Sequence, residues 1–98
     1  MALQGANAGN RDQSGETIAI GNAAGYSNQS IYAVALGTSA GYSNQQMEAI
    51  AIGGNAGQWD QSGEAIAIGA NAGTNGQGGY AIAIGNYAGF QHTQTARV

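Results

Sequence analysis

Residues 49–61 read Ala-Ile-Ala-Ile-Gly-Gly-Asn-Ala-Gly-Gln-Trp-Asp-Gln, and this stretch decides the fold. Ile50-Ala51-Ile52 alternates large and small side chains with period two, the pattern of a strand with two unlike faces. Gly53 and Gly57 follow closely, and each would cost about 1 kcal/mol inside a helix. A strand and a tight turn therefore fit where a helix does not. The same unit recurs along the chain. Ile-Ala-Ile-Gly begins at Ile18, Ile50, Ile66 and Ile82, and its variant Val-Ala-Leu-Gly begins at Val34. The closing glycines Gly21, Gly37, Gly53, Gly69 and Gly85 step by sixteen residues, and Gly5 lies one period upstream.

Other columns keep that register. Ala8, Ala24, Ala40, Ala56, Ala72 and Ala88 recur, each followed by Gly. So do Gln13, Gln29, Gln45, Gln61 and Gln77. The consensus is A-I-A-I-G-x-x-A-G-x-x-x-Q-x-x-x, and its two glycine columns hold twelve of the 18 glycines. Internal repetition of this kind predicts a stack of like units rather than low-complexity disorder. One repeat is one coil: a short strand, a glycine turn, a second short extended piece and a loop back. The predicted fold class is all-β, a parallel β-solenoid (β-roll) of about six 16-residue coils. It forms a single domain over 1–98, with repeats over about 5–93 and an irregular tail at 94–98.

Stacking at the strand spacing of roughly 4.8 Å makes six coils about 29 Å tall. It superposes Ile18, Val34, Ile50, Ile66 and Ile82 in one aliphatic ladder, and Ile20, Leu36, Ile52, Ile68 and Ile84 in a second. The alternate face carries Ala19, Ala35, Ala51, Ala67 and Ala83, with Thr17, Ala33, Ala49, Ala65 and Ala81 beside them. The Ile ladders are expected to supply the burial within a chain. The Ala face, where another backbone can approach closely, is the expected contact between chains. Two large aliphatic residues and a few alanines per coil are little for one chain to bury, so an oligomer is expected. Stacked amides in the Gln column are expected to hydrogen-bond from coil to coil, as in cross-β fibrils. The turn glycines Gly21, Gly37, Gly53, Gly69 and Gly85 are expected to supply positive φ and close backbone approach.

Composition excludes several classes. Lys, Pro and Cys are absent, Arg11 and Arg97 are the only cations, and the net charge is -3. Neutralising nucleic-acid phosphates needs clustered Lys or Arg, and an anionic membrane surface needs the same. No apolar run approaches the roughly 18 residues that span a bilayer, so no membrane insertion is expected. Met1–Gly5 has neither a basic region nor an apolar stretch, so a secretion signal is not expected there. Without cysteine there is no disulfide or thiolate metal site. Asn28-Gln29-Ser30 fits the glycosylation triplet, a pattern that also arises by chance.

The E-A-I-A-I-G-x-x-A unit and its sixteen-residue step resemble the head repeats of trimeric autotransporter adhesins, the YadA-like head. The resemblance covers Gly5 to about Thr93. It implies three chains forming a trimer of left-handed parallel β-rolls, with Ile18-Ala19-Ile20-Gly21 and its successors as core strands. That family's signal peptide, neck, coiled-coil stalk and anchor barrel are not expected within these 98 residues. The repeats are also similar to segments of large-virus and phage surface fibres, and the strict Gln and Ala-Gly columns favour that origin.

Candidate chemistry is sparse. His92 is the only histidine, in the irregular C-terminal stretch, so a Ser-His-Asp arrangement has no scaffold. Asp12 and Asp60 share a column but lie three coils apart, roughly 14 Å. Glu48 and Glu64 occupy adjacent coils, with Glu16 in the same column. Carboxylates about 5 Å apart could hold a hard cation, although a solvated edge is the plainer reading. Gly-x-x-Ala-Gly evokes phosphate-binding loops, which need a helix N-terminus that this pattern lacks. No catalytic residue, cofactor or metal site is expected. The binding candidates are aromatic: Tyr26 and Tyr42 in one column with Phe90, Trp59 one column on, and Tyr32 and Tyr80 in the column of the glutamates. Tyr26, Tyr42 and Trp59 would contact a glycan or protein receptor, or else pack at a subunit seam.

The expected function is a non-catalytic structural or adhesive module of a trimeric surface fibre, spike or capsid-associated protein, on a virion or a cell surface. Its expected partners are copies of itself, other virion or fibre proteins, and a receptor. A self-assembling filament is the alternative, since uncharged IAIG segments at uncapped solenoid ends invite stacking. An ice-binding solenoid ranks below it, because Thr17, Thr38, Thr74, Thr93 and Thr95 form no common ladder.

Overall fold

A computed structural model describes residues 2–11, 16–76 and 78–89. The strands are three residues each: β1 (Ala2–Gln4), β2 (Ile18–Ile20), β3 (Ser27–Gln29), β4 (Val34–Leu36), β5 (Ser43–Gln45), β6 (Ile50–Ile52), β7 (Ile66–Ile68) and β8 (Ile82–Ile84). Two parallel sheets result. One is six-stranded in the order β1-β2-β4-β6-β7-β8, and the other pairs β3 with β5. Parallel bridges Arg11↔Ser27, Ser43↔Trp59 and Trp59↔Asn75 extend the second sheet along the stack. The chain is all-β, a parallel β-solenoid, with no helix among the described residues.

Register follows the repeat. Ile18 pairs with Val34, Val34 with Ile50, Ile50 with Ile66 and Ile66 with Ile82. The longest dimension is 29 Å and the shortest 14 Å. Each coil turns its corners through left-handed backbone. One corner uses Asn7, Ala23, Ser39, Asn55, Asn71 and Tyr87, a second Asn28, Asn44 and Asp60, and a third Glu16, Tyr32, Glu48, Glu64 and Tyr80, all with φ near +60°. Such a conformation costs roughly 1–2 kcal/mol for an ordinary L-residue. Hydrogen bonds between coils hold it, as from Asn55 N–H to the Thr38 carbonyl at 2.8 Å and Glu64 N–H to the Met47 carbonyl at 3.0 Å.

The core lies on the face opposite to the expected one. Every buried apolar residue among those described is alanine, with Ala19, Ala35, Ala51 and Ala67 fully enclosed. Ala24, Ala40, Ala56 and Ala72 pack against that row from the other side. Thr17, Ala33, Ala49, Ala65 and Ala81 are interior as well. The Ile, Val and Leu ladders point outward: Ile18 is 37 % and Ile20 40 % exposed, and the central rungs are half-buried. The Ala face is therefore the inside of one chain and is not available to a neighbouring chain. The physical reason is width. The Gln29 side chain leaves β3 and its Nε2 donates to the Ile18 carbonyl of β2 at 2.8 Å. One glutamine spans the interior, and opposed isoleucines have no room there.

Candidate functional site

The Gln column is the polar spine of this interior. Gln29, Gln45 and Gln61 are fully buried. Gln29 Nε2 donates to Gln45 Oε1 at 3.1 Å, and Gln45 Nε2 to Gln61 Oε1 at 3.2 Å. The same amides donate across the coil, Gln45 to the Val34 carbonyl at 2.6 Å and Gln61 to the Ile50 carbonyl at 2.6 Å. Each buried amide thus links neighbouring coils and both walls of its own. Gln29 Oε1, at the N-terminal end of the described ladder, has no partner among the described residues. Gln13 and Gln77 lie outside the described residues.

Two glycine columns make the stack possible for different reasons. Gly21 has φ +126°, and a Cβ added there would sit 2.7 Å from the Gly37 backbone. The same contact recurs down the column at Gly37 and Gly53 (2.8 Å) and at Gly69 (2.7 Å). Among the described residues, Gly85 has only Ala88 nearby, at 4.0 Å. The glycine after each recurring alanine serves the glutamine instead. A Cβ on Gly41 would meet Gln45 Oε1 at 2.7 Å, and one on Gly57 would meet Gln61 Oε1 at 2.7 Å. The Ala-Gly and Gln columns are one device, a coupling the repeat pattern alone did not reveal.

Two outer surfaces carry side chains able to recognise something. The first is the aliphatic face of the six-stranded sheet, where the residues of both ladders, from Ile18 and Ile20 to Ile82 and Ile84, stand in register. The second is an aromatic ridge beside the opposite sheet. Tyr26 and Tyr42 stack with centroids 4.9 Å apart and 5° between planes. Trp59 meets Tyr42 at 5.2 Å and 64°. The Arg11 guanidinium sits 5.7 Å from the Tyr26 ring. Alongside runs an amide ladder, Asn28 Nδ2 to Asn44 Oδ1 at 3.0 Å and Asn44 Nδ2 to Asp60 Oδ1 at 2.8 Å. The three rings are legible in the sequence as candidates, whereas the place of Arg11 over Tyr26 and this ladder emerge from the structure. The signal was present: Asn28, Asn44 and Asp60 share one column.

The acidic column resolves differently. Glu48 and Glu64 are exposed at corners of their coils. Tyr80, one coil beyond Glu64, hydrogen-bonds to its carboxylate, and this bond, reinforced by the negative charge, raises the phenol pKa. Among the described residues no group of three metal-ligating side chains forms and no cavity opens. His92, Asp12, Phe90, Thr93, Thr95 and Arg97 lie outside the described residues, as does the tail at 94–98. Comparisons with protein-family models, with curated proteins and with solved structures find no match.

Proposed function

We propose that this chain is a non-catalytic structural and adhesive module. In this reading it is a left-handed β-roll of six coils that trimerises and forms part of a surface fibre, spike or capsid-associated assembly, on a virion or a cell. The observation that carries the reading is the inverted strand. A solenoid whose interior is alanine and glutamine turns its large aliphatic residues outward, in two continuous ladders on one flat face. A contiguous apolar face of that kind marks an association surface. Three copies that turn these faces to a common axis enclose what a single chain leaves wet. Rigidity along the axis, from glutamine and backbone ladders, suits a spacer or a fibre segment better than a moving catalyst.

Light scattering tests the reading directly. The expected mass is about three times that of the 9.7 kDa chain. A single-chain mass at micromolar concentration overturns the trimer. Particles that lengthen without limit in negative-stain images replace it with the filament alternative.

A further inference from the structure

We propose that Trp59, with Asp60 and Asn75 beside it, forms a binding site for a neutral glycan. The inference deepens the adhesive half of the reading above and rests on it only in taking the chain as a surface module. The site itself is built within one chain.

The rings of the ridge are not equivalent. Tyr26 and Tyr42 turn their faces on one another, and Arg11 lies over the Tyr26 ring. Neither offers a free platform. Trp59 is turned 64° from Tyr42 and is 41 % exposed, so it is the ring that leaves the stack and meets solvent. Its neighbours are polar. Asp60 follows it in the chain, is exposed, and accepts from Asn44 through Oδ1, which leaves further acceptor capacity on the carboxylate. Asn75 is Trp59's partner in a parallel bridge and is exposed, about one strand spacing of 4.8 Å away.

An aromatic surface flanked by an amide and a carboxylate is the chemistry that recognises a pyranose. The C–H face of the sugar lies on the ring, and its hydroxyls donate to the carboxylate and exchange hydrogen bonds with the amide. Charge selects the class. Arg11, the only cation among the described residues, is already placed over Tyr26, while Asp60 stands at the site and the chain carries -3 overall. A sulfated or sialylated glycan is repelled where a neutral one is not. A protein partner fits less well, because hot-spot aromatics sit in packed, desolvated pockets and no cavity opens among the described residues. The open surface instead suits an extended chain, held weakly at each site and more firmly by several sites on one fibre. The ridge flanks the sheet opposite the aliphatic ladders, so it stays open when that face is covered.

The test uses the full chain and two neutral hexose oligomers, maltotetraose and cellotetraose. Trp59 is the single tryptophan, so its emission and indole N–H resonance report the site alone. The expected result is a saturable change in both signals with at least one oligomer. Backbone amide shifts then read the variants. Trp59→Ala and Asp60→Ala should each bind about tenfold more weakly with circular dichroism unchanged. Trp59→Phe, which keeps an aromatic ring, should retain part of the affinity. A silent Trp59 overturns the proposal, as does a preference for a sulfated oligosaccharide or a response to an aromatic-rich peptide alone. Scattering on the same samples separates the two readings. A saturable response from a single chain supports the glycan site and overturns the trimer. A silent Trp59 in a three-chain particle does the reverse.

Discussion

Ala51 and Ile52 are neighbours in one strand and meet opposite environments. Ala51 is fully enclosed between its register partners Ala35 and Ala67, whereas Ile52 is only half-buried between Leu36 and Ile68. In most domains the larger aliphatic residue is the buried one. Here the order is reversed because the interior is one glutamine wide. A thin coil selects its lining by size before hydrophobicity, and the displaced large residues become a surface. The difference teaches that the lining of the interior and the large apolar surface are supplied by different columns of one repeat.

Variants can break or sharpen that contrast. Ala51→Leu should have the largest effect, at least about 3 kcal/mol, since overpacking a closed interior has no relief. Urea unfolding followed by circular dichroism measures it, and an unchanged midpoint would mean that the interior is loose. Gln45→Ala should follow, at about 2–3 kcal/mol. It strips donors from the Val34 and Ala49 carbonyls and breaks the amide ladder on both sides. The same unfolding curve reads that loss.

Ile52→Asp sits one residue from Ala51 and should behave differently. Its cost within the chain should stay below about 1 kcal/mol, as for substitutions at partly exposed positions, while the scattering mass falls to one chain. Collapse of the β signature in that variant would erase the distinction between the two faces.

The smallest effect belongs to an outer corner. The Glu64 carboxylate accepts the Tyr80 hydrogen bond and raises its pKa above the ordinary 10.0. A raised folded-state pKa means a contribution complete below pH 10.0 and lost as pH rises through the higher, folded-state value. Ultraviolet titration of the tyrosines should show one late ionisation, absent in Tyr80→Phe.

Much of this molecule is legible in its residues. Ile50-Ala51-Ile52-Gly53 and its copies specify strands, turns, the sixteen-residue step and the parallel register, because only like-on-like stacking satisfies such a repeat. The Gln column announces an amide ladder for the same reason. The hydrogen bonds that Gln45 makes across its coil to the Val34 and Ala49 carbonyls are not legible, since they depend on how far apart the two walls stand. The Asn28–Asn44–Asp60 ladder is legible only as a shared column, since its polar residues read equally well as solvated loop.

Periodicity by itself therefore determined that the chain is a β-solenoid and which residues share a column. Only the tertiary structure decided which columns face in. Alternation divides a strand into two faces without saying which is the interior. That choice was made by the width of the coil, set by five positive-φ corners and turns such as Gly21, Ala23, Gly25, Asn28 and Tyr32. In so narrow a space alanine fits and isoleucine does not.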